Sequence, residues 1–439
     1  MKLAKALTAS IFWRGIYFLS VLILNILVAR HFEAAGSGQI FFIINIFALA
    51  VMIASLCMEA PMGYYLSQNK MNEAQLAGWS LIWIAFIMLF VYYAIRSFSN
   101  IDIHLFEKND FQFSANAFMA GNLLITFFIS LFYAKLDFVL PNILLVIVNI
   151  ILMVLVPNNS LLQQILTSNQ YINLYFAGFL AQGTLIAIAF IIKHVKWKEF
   201  NYIPKELIKP FISFAFVAVV TNTMTFLMYR VDYWFVNKYC SDADLGNYIQ
   251  ACKLAQFFFI IPAILASVVF PMTASGRKEE MNVKMQLLSR TLILLYGISC
   301  ALLIAIGFWL FPFVFGNTFN KMYVPFILLV PAILSYSVTH LLTAYYGGKK
   351  VLSVNFWGSI IALTIIITGD LIFIPIYGIK GAAVVSSVGY ISYMSYMMIA
   401  HIREYKSRVA DFLIFKRKDW QTFYSIALEN IFPPKKDAL

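Results

Sequence analysis

Charged side chains that interrupt long apolar runs are the residues of this sequence best suited to chemistry. Arg230 and Asp232 lie in one such run, and Lys253 lies in the next. A charge surrounded by hydrocarbon is costly unless it faces water or a partner, so such residues commonly mark ion or substrate pathways. The end of the first run and the start of the second face the same, outer side. At about 1.5 Å rise per residue, Arg230 and Lys253 each lie roughly 10 Å from that side. Asp232 can therefore pair with Lys253, either as a purely structural ion pair or beside an anion-facing cavity that uses the surplus positive charge.

Other ionisable residues lie closer to the ends of apolar runs. Arg14 lies just inside the first run, and it either faces a cavity or extends its long side chain to the membrane surface. Glu59 and His340 lie near the inner ends of their runs, where contact with interfacial water is the default. Asp370 lies near the outer end of its run.

The predicted site therefore has two parts. Three cations are assigned to binding an anionic substrate in a cleft: Arg14, Arg230 and Lys253. Four residues are assigned to ion coupling or to structural pairing: Asp232, Asp370, Glu59 and His340.

Motifs of known enzymes are weak in this chain. Asp242-Ala243-Asp244 matches the Asp-x-Asp pattern of metal-dependent sugar transferases, but it follows Ser241 and precedes an apolar run, where such residues cap a helix. The Gly-Gly-Lys-Lys sequence at 347–350 lacks the spaced first Gly and the Ser or Thr of a phosphate loop. The four Cys residues have no paired spacing, and no Cys/His cluster has metal-ligand spacing. The sequence therefore predicts a protein that is not an enzyme and that uses no metal or cofactor.

Apolar residues make up 62% of the chain and the mean hydropathy is +0.81, whereas roughly half of a soluble domain is apolar. The apolar runs are about 19 to 27 residues long, the length of helix that crosses a hydrocarbon core of about 30 Å. Strands of a membrane barrel would be shorter and would alternate polar with apolar residues. We predict an all-α integral membrane protein with about twelve transmembrane helices. Their approximate positions are 11–29, 39–60, 78–97, 113–134, 139–157, 171–192, 211–237, 247–270, 291–314, 323–345, 352–374 and 379–400.

The net charge of +12 follows from topology rather than from a nucleic-acid partner. If both termini are cytoplasmic, most of the 32 Lys and Arg residues lie on the cytoplasmic side, as the positive-inside rule requires. The outer loops then hold only Arg30, Arg96, Lys108, Lys238, Lys321 and Lys380. The basic segment 403–439 is predicted to be an amphipathic cytoplasmic tail, with Trp420, Phe423 and Leu428 among its apolar residues, and to contact anionic membrane lipids.

The longest inner loop divides the predicted helices into two sets of six. Residues 1–192 form an N-terminal six-helix bundle, 193–209 a cytoplasmic linker and 210–402 a C-terminal six-helix bundle. Residues 30–38 parallel residues 238–246, since each segment leads through a short turn to a Gly at the start of the next apolar run. This similarity between the two segments predicts an internal duplication, which is common in transporters.

Three segments carry a resemblance to a known family. They are Tyr-Arg-Val-Asp-Tyr-Trp-Phe-Val at 229–236 with Leu-Gly-Asn-Tyr at 245–248, Ile-Pro-Ile-Tyr-Gly-Ile-Lys-Gly-Ala-Ala at 374–383, and Phe-Gly at 315–316 with Pro331 and Gly-Lys at 348–349. In these segments the chain resembles the polysaccharide-biosynthesis (O-antigen, Wzx-type) flippases of the multidrug/oligosaccharidyl-lipid/polysaccharide exporter superfamily. Asp370 departs from the family pattern, in which a neutral residue similar to Asn is expected.

The resemblance implies a fold and a function. Two six-helix bundles would form a V-shaped central cleft and alternate between inward-open and outward-open states in a bacterial cytoplasmic membrane. The implied substrate is an undecaprenyl-pyrophosphate-linked oligosaccharide, and cleft cations would offset the cost of moving its diphosphate. Proton or sodium coupling and a polysaccharide polymerase machinery are the implied partners.

Other functions stay open at this stage. A cation-coupled multidrug or metabolite antiporter has the same fold but favours intramembrane carboxylates over Arg and Lys. A lipid II flippase usually has two further helices, which 439 residues accommodate poorly. A membrane enzyme such as a sugar polymerase would be expected to have a large outer loop with Arg or His.

Cysteine accessibility labelling with an impermeant reagent, in a cysteine-free background, tests the predicted topology. Positions expected to label only from the cytoplasmic side are those near Lys70, Lys198 and Lys284 and those in the tail. Positions expected to label from outside are those near Glu33, Glu107 and Ser160. Labelling from outside at Lys198 would contradict the division into two sets of six helices.

Overall fold

The structure is a computed structural model of the chain, and it describes residues 2–97, 108–157, 166–202, 204–275 and 278–419. Within these ranges the chain is helical and forms no strand, so the predicted all-α class is confirmed. The helices are α1 (Lys2–Ser55), α2 (Glu59–Ser67), α3 (Glu73–Ser97), α4 (Lys108–Ala134), α5 (Val139–Val154), α6 (Ser168–His194), α7 (Lys205–Tyr239), α8 (Asp242–Phe257), α9 (Ile260–Ala274), α10 (Lys278–Phe315), α11 (Tyr323–Gly348), α12 (Leu352–Tyr405) and α13 (Ala410–Leu413). The predicted amphipathic tail around Trp420, Phe423 and Leu428 lies outside the described residues.

Eight of the described helices are long and apolar enough to cross a membrane, or nine if the bent pair α8 and α9 forms one span. α5 is apolar but has only 16 residues. The two longest helices, α1 and α12, have 54 residues each. A straight helix of that length would extend about 80 Å, far beyond a hydrocarbon core of about 30 Å. The predicted count of twelve spans depends on how these broken helices are divided, and it stays a prediction.

The breaks in the long helices occur where single residues leave helical geometry. In α1, Glu33 has a φ of 57°, and in α12, Gly378 has a φ of 58°. Gly378 suits this left-handed conformation because it has no Cβ, and Pro375 lies one turn earlier in the same helix. Between α1 and α2, Leu56 and Cys57 have φ values of 49° and 48°. This turn interrupts the predicted run 39–60, which the sequence treats as one helix.

Contacts between residues divide the chain into two units, which are described separately. Unit one contains 1–230, 241–247 and 312–319, and unit two contains 231–240, 248–311 and 320–439. The predicted boundaries at 192 and 210 stay a prediction.

In unit one, α4 and α6 pack closely through buried aromatic side chains. These are Phe118, Phe128, Phe132, Phe176 and Phe190. The α5 helix is tied to α1 and α6 by amide hydrogen bonds, with Asn149 donating to Ser20 Oγ at 2.9 Å and Gln182 donating to Asn149 Oδ1 at 2.9 Å. Buried polar side chains thus bond to one another, as a hydrocarbon environment requires.

In unit two, α11 is the central helix. It packs along α12 and α9, and most of its residues are buried. Its aromatic residue Tyr336 stacks near Tyr390 of α12, with ring centroids 4.9 Å apart. This core positions the charged residues of α7, α8 and α12.

Two glycines at equivalent places in the predicted duplication touch each other in unit one. A methyl group added at Gly38 would lie 2.6 Å from the backbone nitrogen of Gly246 and 2.8 Å from the carbonyl oxygen of Asp242. A methyl group added at Gly246 would lie 1.8 Å from the carbonyl oxygen of Ala34. Ala34 and Asp242 each precede their Gly by one helical turn, so the contact is reciprocal. The predicted duplication of residues 30–38 and 238–246 stays a prediction.

This contact predicts a position-specific cost for adding a methyl group. We expect Gly246→Ala to lower the thermal unfolding temperature of the purified protein, since overpacking costs about 1–3 kcal/mol. Gly297→Ala is the matched control, because a methyl group there would meet no atom within 4 Å and Ala is the better helix former. Equal unfolding temperatures for the two variants would show that the close contact is absent.

Candidate functional site

Two carboxylates that the sequence placed in different apolar runs lie buried in unit two. Asp232 of α7 is 3% exposed and Asp370 of α12 is 0% exposed. Tyr248 of α8 donates a hydrogen bond from its hydroxyl to Asp232 Oδ2 at 2.5 Å, and Ser386 of α12 donates to the same oxygen at 3.1 Å. Asp370 lies within electrostatic range of Asp232. We call Asp232, Asp370, Tyr248 and Ser386 the carboxylate site.

The carboxylate site contains three oxygen atoms that accept no hydrogen bond from the described residues. They are Oδ1 of Asp232 and both Oδ atoms of Asp370, and all three are buried. Burying an ionised carboxylate without compensation is strongly unfavourable. Hard cations prefer oxygen ligands, and a proton neutralises a carboxylate directly. This arrangement is therefore suited to holding a proton or a small cation.

The start of α8 positions Tyr248 in this site. Ser241 accepts a hydrogen bond from the backbone nitrogen of Asp244 at 3.2 Å, and its hydroxyl donates to the Asp244 carboxylate at 2.7 Å. This confirms that the Asp-x-Asp sequence caps a helix, as predicted from its position. With the helix fixed at Asp242, Tyr248 lies in its second turn and is fully buried.

Lys253 lies on α8 and is half-buried. The predicted pairing of Lys253 with Asp232 stays a prediction.

Ser386 could not be recognised from the sequence as a partner of Asp232, because the two residues are far apart along the chain. Tyr248 belongs to the Gly-x-Tyr segment that supported the family resemblance, and that motif was its only signal.

The other two predicted cations lie in unit one. Arg230 is half-buried, and its Nη1 donates to Asn45 Oδ1 at 3.0 Å. Its guanidinium carbon lies 5.3 Å from the ring centroid of Phe226. Arg14 is exposed, and its guanidinium carbon lies 4.3 Å from the ring centroid of Tyr133. Contact with an aromatic face stabilises a cation, so both guanidinium groups lie in favourable surroundings.

Glu59 and His340 lie in different surroundings. Glu59 begins α2 beside the turn at Leu56 and Cys57, and its Oε2 is buried without a hydrogen-bond partner among the described residues. His340 of α11 packs against Tyr336, with ring centroids 4.6 Å apart. Tyr336 in turn contacts Tyr390, which lies within electrostatic range of Asp232.

Metal-ligand clusters and disulfides do not occur in the part of the chain that the structure describes. No three His, Cys, Asp or Glu side chains group there as metal ligands would. The four cysteines, Cys57, Cys240, Cys252 and Cys300, form no disulfide.

Comparison with solved structures identifies the fold. The lipid II flippase MurJ in an inward closed conformation matches with a TM-score of 0.67 and 18% identity, over 97% of this chain and 93% of that chain. The MATE transporter VcmN of Vibrio cholerae in its bent form matches with a TM-score of 0.60 and 15% identity, over 94% and 99% of the two chains. A MOP superfamily transporter from Pyrococcus furiosus matches with a TM-score of 0.62 and 13% identity, over 91% and 94%.

No protein-family model and no curated protein sequence matches the chain. The structural matches cover nearly the full length of each protein, so the chain has the fold of a multi-pass membrane transporter. More particularly, it has the fold shared by MurJ and the MATE transporters. The predicted fold class is therefore confirmed.

The hydrogen bond from Tyr248 to Asp232 can be tested by removing one hydroxyl group. We expect Tyr248→Phe to lower the free energy of unfolding by about 1.5–3 kcal/mol, the range for hydrogen bonds to charged groups. Tyr377→Phe is the matched control, because the Tyr377 side chain is 61% exposed. Thermal unfolding of the two purified variants makes the comparison, and equal stability would contradict the geometry of the carboxylate site.

Proposed function

We propose that the protein is a flippase that moves an undecaprenyl-pyrophosphate-linked oligosaccharide across the bacterial cytoplasmic membrane by alternating access. A proton or a sodium ion at the carboxylate site couples to this movement. The transporter fold and the sequence resemblance to polysaccharide flippases support the proposal. In it, both termini are cytoplasmic, as the distribution of Lys and Arg predicts.

The proposal depends on one observation: the positively charged side chains of the predicted site are more accessible than its two buried carboxylates. Asp232 and Asp370 are buried, at 3% and 0% exposure. Arg14 is exposed and Arg230 is half-buried. A large substrate can reach only accessible groups, whereas a proton or metal ion can reach a buried pocket. The accessible cations therefore suit an anionic substrate, and the buried carboxylates suit a small ion.

The chemistry of Arg230 fits a diphosphate. A guanidinium group is always charged, and its planar donors bind phosphate oxygens in pairs. Asn45 takes one donor of Arg230 and orients the group, and the other donors can serve a ligand. In this proposal Arg230 and Arg14 contact the diphosphate and Lys253 adds a third positive charge.

Ion binding at the carboxylate site provides a way to couple an ion gradient to transport. The site joins α7, α8 and α12 through Asp232, Tyr248 and Ser386. A ligand shifts a conformational equilibrium by the difference in its affinity for the two states. An ion that draws the two carboxylates together would favour the arrangement in which these helices are close. Glu59 and His340 stay secondary candidates for the same role.

The second candidate is a cation-coupled multidrug or metabolite antiporter. The MATE transporters share the fold, and the two carboxylates are the groups that an organic cation would need. Their burial opposes this function, because a bulky cation would have to open the core of unit two. Export of a fluorescent organic cation that is lost in Asp370→Asn would favour the antiporter.

Neutral variants of the cations test the flippase. We expect Arg230→Gln and Arg14→Gln to abolish surface polysaccharide and to cause lipid-linked repeat units to accumulate on the cytoplasmic face, while the protein stays inserted. Lys380→Gln is the control, since Lys380 is an exposed cation two residues after the break in α12 at Gly378. Normal polysaccharide export from the Arg230 and Arg14 variants would overturn the cationic substrate site.

A double variant separates the roles of Asp232 and Lys253. If the two residues form only a structural ion pair, Asp232→Asn with Lys253→Gln should restore much of the activity that either single change removes. If Lys253 contacts substrate, the double variant should stay inactive. Expression level and monodispersity in detergent must match the wild type, because misfolding would resemble loss of transport.

A further inference from the structure

A buried ion pair ties the segment after α12 to the body of unit two. Arg290 of α10 and Asp419 are 7% and 4% exposed. Arg290 Nη2 lies 2.6 Å from Asp419 Oδ1, and Arg290 Nη1 donates to the carbonyl oxygen of Asp411 at 2.6 Å. The second oxygen of Asp419 accepts a bond from the backbone nitrogen of Lys416 at 2.8 Å. We call residues 406–419 the clasp.

Two further anchors hold the clasp. Phe412 is fully buried, and its ring contacts that of His401 in α12 with centroids 5.2 Å apart. Asp411 accepts bonds from the backbone nitrogen of Arg408 at 2.9 Å and from Lys416 Nζ at 2.5 Å. The bond from Lys416 lowers the pKa of the Asp411 carboxyl below its usual range. Both acidic residues of the clasp are therefore engaged by partners within the protein.

The exposed charged side chains of the clasp are all positive. Lys406, Arg408, Arg417 and Lys418 are exposed. Two apolar side chains are exposed among them, Val409 at 49% and Ile414 at 61%. The clasp thus exposes both cations and aliphatic groups.

The apolar runs predicted from the sequence place the clasp beside a membrane boundary. Arg290 immediately precedes the apolar run 291–314, and the clasp follows the last residue of α12, Tyr405. Surfaces that combine cations with aliphatic side chains at this level bind between anionic headgroups and the outer part of the acyl chains. Nucleic acid would offer phosphate groups but no apolar layer in which Val409 and Ile414 could insert.

We propose that the clasp is a preformed docking surface for anionic phospholipid headgroups, held in shape by the Arg290–Asp419 ion pair. Desolvating an ion pair is costly, and its net contribution to stability is often small. Here the pair orders a chain segment whose exposed charged side chains are all positive. The surface is independent of the transported substrate, so it stands whether or not the protein is a flippase.

Lipid-dependent thermal unfolding of the full-length protein tests the proposal. In neutral detergent, we expect phosphatidylglycerol to raise the unfolding temperature more than phosphatidylethanolamine does, since a ligand that binds the folded state stabilises it. The triple variant Arg408→Gln, Arg417→Gln, Lys418→Gln should bind phosphatidylglycerol roughly a hundredfold more weakly, because each cation at an anionic surface contributes about a factor of five. The matched control, Lys196→Gln, Lys198→Gln, Lys205→Gln, removes three exposed cations elsewhere and should keep the wild-type response.

A variant of the ion pair separates an ordered surface from net charge. Asp419→Asn makes the clasp more positive but removes the partner of Arg290, so we expect weaker phosphatidylglycerol stabilisation. Stronger stabilisation in Asp419→Asn, or an equal loss in the lysine control, would show that charge alone attracts the lipid and would overturn the proposal. Equal stabilisation by soluble glycerol phosphate would also overturn it, because that probe has a headgroup phosphate and no acyl chains. If Asp419→Asn does not fold, the triple variant and its control decide.

Discussion

Every polar group inside a hydrocarbon layer must find its partner within the protein, and this constraint governs the whole structure. An α-helix satisfies its own backbone, which is why the described chain is helical throughout. The same constraint acts on side chains: the amides of Asn149 and Gln182 bond to each other and to Ser20 rather than to solvent. Buried polar atoms without a hydrogen-bond partner among the described residues are therefore exceptional, and the carboxylate oxygens of Asp370 are the clearest example.

The two units solve the problem of intramembrane charge in different ways. In unit one, Arg230 and Arg14 lie against aromatic rings and stay at least partly accessible. In unit two, Asp232 and Asp370 are enclosed by helices, and hydroxyl groups satisfy only part of their bonding capacity. The proposed transport function uses both arrangements, because the substrate would have to enter and leave through open space whereas a coupling ion would benefit from a selective, enclosed site. The proposed division of roles follows from this difference.

Hydropathy was enough to predict the helical class and the approximate limits of most helices. It failed where a helix bends without a strong local signal. The turn at Leu56 and Cys57 contains neither Gly nor Pro, and the bend of 40° between α8 and α9 interrupts a run that reads as continuous. For the site, the charged residues were recognisable because charge is rare in apolar runs. Ser386 was not, since a serine in a membrane helix usually bonds to its own backbone, and only the tertiary fold brings it to Asp232.

The proposed ion binding at the carboxylate site would also have an electrical consequence. When one cation enters, the charge of the site changes by one elementary unit, so the empty and occupied forms respond differently to the membrane potential. Moving one elementary charge through the whole potential is worth about 2.3 kcal/mol per 100 mV. The free energy of ion binding would vary with voltage by a fraction of this value, namely the fraction of the field that lies between Asp370 and the solution that supplies the ion. If the ion comes from the positive side of the membrane, collapse of the potential would lower the occupancy of this site even at an unchanged ion concentration.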